Sequence, residues 1–113
     1  MEAAFDKIGE VVATFEAAEG VTVGKAVKIT ASGQVGPCSA EGDVPAGVAV
    51  SLRNGLAGVQ LYGYVELPCA ATLTVGFGKV SMDASGKVQP DTDGRPALVV
   101  YADSTAGQCG LFL

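Results

Sequence analysis

The clearest pattern in the chain is an alternation of apolar and polar residues on both sides of a turn-forming pair. The run GVAVSLR ends at Arg53, Asn54-Gly55 supplies the turn, and the run LAGVQLY follows. An Asn-Gly pair between two alternating runs is a strong signal for a short β-hairpin loop. The sequence therefore predicts two antiparallel strands that meet at residues 54 and 55.

The period of two along a strand assigns the side chains of this hairpin to opposite faces. On the first strand one face carries Val48, Val50 and Leu52, and the other carries Gly47, Ala49 and Ser51. On the return strand we expect the core face to contain Val59, Leu61, Val65 and Leu67. The opposite face would then contain Gln60, Tyr62, Tyr64 and Glu66. Gly63 predicts a bend or bulge in the middle of this strand.

The chain also repeats itself. The run TVGKAVKITASGQV (22–35) returns as TVGFGKVSMDASGKV (74–88) with one inserted residue. Pro45-Ala46 before GVAV is matched by Pro96-Ala97 before LVVY, and GEVVA loosely matches GYVEL. Ordered matches at similar spacing favour the duplication of a unit of about fifty residues. We interpret residues 9–62 as the first strand unit and residues 63–113 as the second.

Each unit alternates short β-branched runs with Gly, Ser, Asn or Asp at the breaks, which is typical of strands joined by tight turns. Many short strands predict an all-β fold, a small antiparallel β-barrel or sandwich that forms one domain over residues 1–113. At the start of the chain we expect a loose arm over residues 1–8 and a strand from about Glu10 to Phe15.

Charge narrows the classes of partner. The net charge is −5 and the sequence pI is about 4.4, which disfavours binding to the phosphates of nucleic acid. No apolar run approaches the ~18 residues of a membrane span, and the acidic start is unlike a signal peptide. We therefore expect a protein made in the cytoplasm, with neither nucleic acid nor a membrane as partner.

The acidic residues are concentrated at the beginning of the chain. Residues 1–20 contain five acids and a single lysine. We predict that this arm docks on a basic partner surface, with Phe5 and Ile8 as apolar anchors. The alternative is a solvated tail that only aids solubility.

Residues for catalysis are scarce. The chain has no histidine, which removes the Ser-His-Asp triad and the usual zinc sites. Its three cysteines have no CxxC spacing and suit free thiols. The aspartates of DASGKVQPDTDG suit turns better than calcium, and GFGKV lacks the spacing of a phosphate loop. We predict no enzyme activity, no metal and no cofactor.

Contact with another protein is the remaining kind of site. Tyr62 and Tyr64 share the predicted outer face, where they either form a contact patch or pack across strands. Arg53, at the hairpin turn, is a further candidate contact residue.

Three strings carry a resemblance to a known family: GKAV at 24–27, GVAVSLR at 47–53 and GYVELP at 63–68. With the segments around them, they resemble the capsid cement, head decoration or head-fibre proteins of tailed bacteriophages and prophages. The resemblance implies a virion structural protein that binds the major capsid protein on the assembled shell, often as a homotrimer. It offers no active-site residues. The alternative is a carbohydrate- or ligand-binding β-module used in host attachment, which the absence of tryptophan weakens.

Overall fold

The computed structural model describes residues 10–113, which form ten strands and no helix. The strands are β1 (Val11–Ala17), β2 (Ala26–Ala31), β3 (Gln34–Pro37), β4 (Gly47–Arg53), β5 (Leu56–Tyr62), β6 (Tyr64–Pro68), β7 (Gly76–Met82), β8 (Val88–Pro90), β9 (Arg95–Asp103) and β10 (Gln108–Phe112).

The strands are divided between two sheets, and the all-β prediction is confirmed. The first sheet is a closed barrel in the order β1-β3-β2-β4-β5, and the second has the order β6-β10-β9-β7-β8. All neighbours are antiparallel except β1 and β3, which run parallel. That pair departs from the purely antiparallel expectation, because the β2–β3 hairpin folds back so that β3 closes the barrel against β1.

The two sheets share one pattern of strand pairing. If β1 to β5 are matched in order with β6 to β10, every antiparallel pair of the first sheet has a counterpart in the second. The parallel β1–β3 pair also has one, a single parallel bridge between Cys69 and Val88. The hydrogen bond from Ala18 N to Val35 O (2.8 Å) recurs from Ala70 N to Val88 O (2.9 Å). The strand order is therefore the same in both halves, as an internal repeat predicts.

The ladders also correct the repeat alignment. Ala13 pairs with Val59 in β5, and Val65 pairs with Leu111, the counterpart of Val59, in β10. Ala13 therefore corresponds to Val65, whereas the match of GEVVA with GYVEL places it against a residue two positions later. Ala49 in β4 and Val99 in β9 correspond in the same way, so the counterpart of Pro96 is Ala46 and not Pro45.

A β-bulge at Val50 breaks the alternation predicted for β4. The register shifts between Ala49 and Ser51, so Ala49 faces the core while Val50 and Leu52 are exposed. A bulge places two residues opposite one and reverses the direction of the side chains that follow it. The predicted face of Val48, Val50 and Leu52 was therefore wrong.

The second sheet is not a closed barrel, since only the single Cys69–Val88 bridge joins its two ends, but its strand order matches that of the first, and we call it the second barrel. Each barrel has its own apolar core, and the members of one core have counterparts in the other. The first consists of Val21, Val27, Val35, Ala49, Ala57 and Val59, with Phe15, Ala17 and Leu61 partly buried against it. The residues at the corresponding positions of the second barrel are, in the same order, Leu73, Val80, Val88, Val99, Cys109, Leu111, Leu67, Cys69 and Leu113. The second cluster also takes in Ala26, Cys38 and Val48 of the first unit, so the two barrels pack against each other.

The strand that leaves the first barrel was predicted only in part. Val59, Val65 and Leu67 are buried as expected, and Leu61 is half-buried. Gln60 and Tyr64 are also buried, contrary to the predicted outer face. Gln60 keeps the face opposite Val59, and its amide nitrogen donates hydrogen bonds to the carbonyl oxygens of Tyr62 and Tyr64. The hydroxyl of Tyr64 donates to Glu66, and its ring packs against Phe112. Between Gln60 and Tyr64 the backbone takes a positive φ of 105° at Gly63. The bend predicted at this glycine is present.

Candidate protein-contact surface

Arg95, the first residue of β9, joins the second barrel to the first. Its guanidinium donates hydrogen bonds to the backbone carbonyls of Pro45 and Ala46, before β4, and of Leu61 in β5. A guanidinium has five donors in a rigid plane and stays protonated, so it can bridge several carbonyls at once. Burial lowers its pKa, and the neighbouring Tyr62 opposes that shift.

Tyr62 covers this arginine from the solvent side. The guanidinium carbon of Arg95 lies 5.4 Å from the centre of the tyrosine ring, within the range of a cation–π contact. The ring is nevertheless 53% exposed, and Val11 opposite it in β1 is exposed as well. A shallow depression beside the ring is lined by Pro96 and Leu113 among others. We call Val11, Tyr62, Arg95, Pro96 and Leu113 the Tyr62 surface.

The predicted arm adjoins this surface along the chain. Phe5 and Ile8 lie outside the described residues, which start at Glu10, next to Val11. Val11 pairs directly with Tyr62. The described part of the chain therefore starts at the edge of the Tyr62 surface.

Tyr64 does not share that surface. Its side chain is 9% exposed, and its hydroxyl donates to Glu66 Oε2 at 2.9 Å. The hydroxyl of Tyr101 donates to the same oxygen at 3.2 Å, and the ring of Phe112 lies 5.5 Å from that of Tyr64. Burial and the hydrogen bond to Glu66 raise the pKa of Tyr64. Of the two readings, cross-strand packing describes Tyr64, because its hydroxyl is bonded to Glu66 and its ring contacts Phe112.

Arg53 lies at the opposite end of β5 from Tyr62. It pairs with Leu56 next to the hairpin turn, where Asn54 has a positive φ of 54°. Leu56 and Tyr62 are six residues apart along the strand, a distance of about 20 Å at roughly 3.3 Å per residue. Arg53 is exposed, but it belongs to a different surface.

Phe77 in β7 is an exposed aromatic residue that the sequence reasoning missed. Its side chain is 90% exposed, and its neighbours Gly76 and Gly78 have no side chains to cover it. The segment GFGKV, which resembles a fragment of a phosphate loop in the sequence, forms a regular strand opposite β9. The available signal was a phenylalanine between two glycines within a predicted strand.

The cysteines are buried, and Asp83 is engaged in a turn. All three cysteines are free and buried. Burial raises the pKa of Cys38 to about 11, and burial with the neighbouring Cys69 raises that of Cys109 to about 12. Such thiols stay protonated at neutral pH and are poor nucleophiles. Asp83 accepts hydrogen bonds from backbone amides within its own turn, as predicted.

Within residues 10–113 no group of three or more Cys, Asp or Glu is arranged to hold a metal ion. In the same part of the chain, no helix is long and apolar enough to cross a membrane.

No protein-family model matches the chain, and no curated protein matches it either.

Proposed function

We propose that this chain is a non-enzymatic structural protein of a tailed-phage or prophage virion. It binds the major capsid protein on the assembled shell and stabilises or decorates that shell. The observation that carries the proposal is the resemblance of the GKAV, GVAVSLR and GYVELP strings to head decoration proteins. Its place of action is the capsid surface, and its place of synthesis is the cytoplasm of the bacterial host.

The geometry of the described residues supports a role in contact. Two barrels share a buried cluster and are joined by the hydrogen bonds of Arg95, so the chain forms one compact body. Large apolar side chains such as Tyr62 and Phe77 are nevertheless left exposed. Aromatic residues and arginine are the groups that anchor protein interfaces most often. The Tyr62 surface combines both and adjoins the acidic arm.

Binding to the assembled shell explains how such a protein stabilises a capsid. A ligand that recognises only the assembled state stabilises that state by mass action. A homotrimer placed where capsomers meet would hold several capsid subunits together.

Co-sedimentation with undecorated capsids tests the proposal. The capsids are assembled from the major capsid protein of the genome that encodes this chain. We expect the purified protein to sediment with them to a fixed stoichiometry and to raise their temperature of disruption. Free capsid subunits should bind weakly. If the protein remains in the supernatant at every concentration tested, the proposal is wrong.

Three variants locate the contact. One lacks residues 1–8, one carries Tyr62→Ala, and one carries Arg53→Ala. If the acidic arm and the Tyr62 surface contact the shell, the truncated chain and Tyr62→Ala should bind capsids more weakly. The truncated chain should also depend less on salt, because exposed charge pairs are screened over about 10 Å at 0.1 M salt. Arg53→Ala, at the far end of β5, tests the second candidate contact separately.

A further inference from the structure

The two barrels differ at the place where their first and third strands meet. In the first barrel, Glu16 N donates a hydrogen bond to Gly33 O at 2.9 Å. The ladders place Pro68 and Gly86 at the corresponding positions of the second barrel. A proline has no N–H, so the corresponding bond does not form. Within residues 10–113, no other donor takes its place at Gly86 O.

A cavity of about 110 Å³ adjoins this gap, and we call it the seam cavity. Pro68 and Gly86 line it, and its lining also includes Ala26, Leu67 and Met82, which are buried. The inner part of the cavity is therefore apolar and lies between the two barrels. A water molecule takes up about 30 Å³ in the liquid, so the cavity has room for about four heavy atoms. The side chain of leucine or isoleucine has this size.

The rim of the seam cavity is polar and open to solvent. Thr22, Lys25 and Ser85 line it and are exposed. Among all of its lining residues, Lys25 is the only one that carries a charge. Within residues 10–113, Lys25 forms no ion pair. A group that occupies the cavity therefore meets an apolar interior, a positive charge at the rim, and a backbone carbonyl, Gly86 O, that lacks a donor.

We propose that the seam cavity binds an aliphatic side chain from an extended segment of another protein. The backbone N–H of the inserted residue donates to Gly86 O and so replaces the donor that Pro68 lacks. An acidic residue next to it in the segment pairs with Lys25. Main-chain hydrogen bonds of this kind supply affinity, and the pocket for the side chain supplies specificity. On the proposed function the segment belongs to the major capsid protein, and only this identification rests on that function.

The alternative occupant is a free small molecule, which the volume of the cavity would admit. Apolar contact with residues such as Ala26, Leu67 and Met82 would hold such a molecule. It would leave Gly86 O and Lys25 to water. A peptide segment uses all three features of the site, so peptides that lack one feature at a time distinguish the two occupants.

Titration of the whole chain with N-acetyl-leucyl-aspartate N-methylamide tests the proposal. Binding is followed by the NMR signals of the methyl groups of Met82 and Leu67, and we expect saturable shifts of both. Replacement of the leucine by glycine should weaken binding about tenfold or more, because the buried side chain is lost. An ester analogue, in which an oxygen replaces the leucine N–H, should bind several-fold more weakly.

Two results of this titration would overturn the proposal. Signals that do not shift saturably would show that the cavity does not accept the peptide. A glycine or ester analogue that binds as tightly as the leucine peptide would show that the side chain or the N–H takes no part. Equal binding of the ester would assign the cavity to free apolar molecules.

Variants of the protein test the same two contacts. Ala26→Leu fills the cavity and should abolish peptide binding, while the melting temperature stays the same or rises, as cavity filling commonly does. Pro68→Ala supplies an internal N–H for Gly86 O and should weaken peptide binding as much as the ester does. Pro68 is exposed, so this variant should fold even if Ala26→Leu does not.

The matched control for these variants is Pro90→Ala, which replaces an exposed proline in β8. It should bind the peptide as the unmodified protein does. Undiminished binding by Pro68→Ala, or by a folded Ala26→Leu, would contradict the proposal.

Co-sedimentation with undecorated capsids tests the identity of the partner. Ala26→Leu and Lys25→Glu should be retained more weakly than the unmodified protein. Lys79→Glu makes the same change of charge at an exposed lysine outside the cavity and should be retained normally. Equal retention of Ala26→Leu and the unmodified protein would overturn the assignment of the cavity to the capsid protein. If the unmodified protein itself stays in the supernatant, the proposed function is wrong, and the peptide titration alone decides whether the cavity is a binding site.

Discussion

Gly58 in β5 and Gly110 in β10 hold the same position in the two barrels. Gly58 faces Ser51 and Gly110 faces Tyr101, in each case directly after a bulge in the neighbouring strand. A Cβ atom at Gly58 would meet the hydroxyl of Ser51, whereas one at Gly110 would meet the hydroxyl of Tyr64 and the ring of Tyr101. The same backbone site is therefore adaptable in one barrel and closed in the other.

This difference predicts that Gly110→Ala destabilises the protein more than Gly58→Ala does. The hydroxyl of Ser51 can rotate away from an added methyl group, but Tyr64 is held by Glu66 and is largely buried. Overpacking of a filled site costs about 1–3 kcal/mol. We expect a loss in that range for Gly110→Ala and a smaller loss for Gly58→Ala, measured as the free energy of unfolding in urea. Equal losses would show that the tyrosines move aside freely.

Arg95 is predicted to stabilise the folded protein through its hydrogen bonds to the first barrel. Arg95→Ala removes the donors to the carbonyls of Pro45, Ala46 and Leu61. Hydrogen bonds to charged groups contribute about 1.5–3 kcal/mol each, net of the bonds to water that they replace. We expect a lower melting temperature for Arg95→Ala and only partial recovery in Arg95→Lys, since an ammonium lacks the planar set of donors.

The control for this experiment is Arg53→Ala. Arg53 is exposed at the hairpin turn, and surface substitutions of this kind change stability by about 0.5 kcal/mol or less. A melting temperature for Arg95→Ala equal to that of Arg53→Ala would mean that water replaces the arginine without loss.

Stability should fall in acid partly because of Asp43. Its carboxylate accepts hydrogen bonds from Lys28 Nζ at 2.8 Å and from the backbone amides of Ser39 and Ala40. The bond from Lys28 and the amides hold the pKa of Asp43 below its usual 3.8. A carboxyl group whose pKa is lower in the folded than in the unfolded protein stabilises the folded state in full when the pH is above its unfolded pKa. This contribution is lost as the pH falls through the folded pKa.

We therefore expect the free energy of unfolding to decrease below about pH 4. Asp43→Asn should reduce stability at pH 7 and flatten this decrease. Glu19→Gln, which changes an exposed carboxylate in the loop after β1, should leave the slope unchanged. A slope that is the same in Asp43→Asn and in the unmodified protein would contradict the role of this group.

The sequence predicted those features of the fold that depend on local patterns. Asn54-Gly55 forms the expected hairpin turn, and the repeat led to two units whose strands pair in the same order. Both follow from turn chemistry and β-propensity, which act over a few residues. The bulge at Val50 was not predicted, because a valine fits the alternating pattern of β4 and does not itself mark a bulge.

The candidate site was predicted less completely, and for the same reason. Tyr62 and Tyr64 look equivalent in the sequence, but Tyr62 lies over Arg95 and stays exposed, whereas Tyr64 is buried against Phe112 and Glu66. The partners of Arg95 come from residues more than 30 positions away in the chain, which local periodicity does not connect. Phe77 was missed because its exposure depends on which barrel face is left uncovered.

The final prediction concerns the three cysteines, which are expected to be unreactive in the folded protein. The burial that raises the pKa of Cys38 to about 11 and of Cys109 to about 12 also blocks access to both thiols. Only the thiolate attacks an aromatic disulfide reagent, so modification at pH 8 has to wait for unfolding.

We therefore expect fewer than one thiol per chain to react within minutes under native conditions and all three to react in denaturant. The slow native rate should rise in destabilised variants such as Gly110→Ala, because reaction then follows the population of the open form. A matched exposed thiol, introduced as Leu52→Cys, should react at once and shows that the reagent is active. Rapid native reaction of Cys38, Cys69 or Cys109 would mean that the barrels open far more readily than their packing implies.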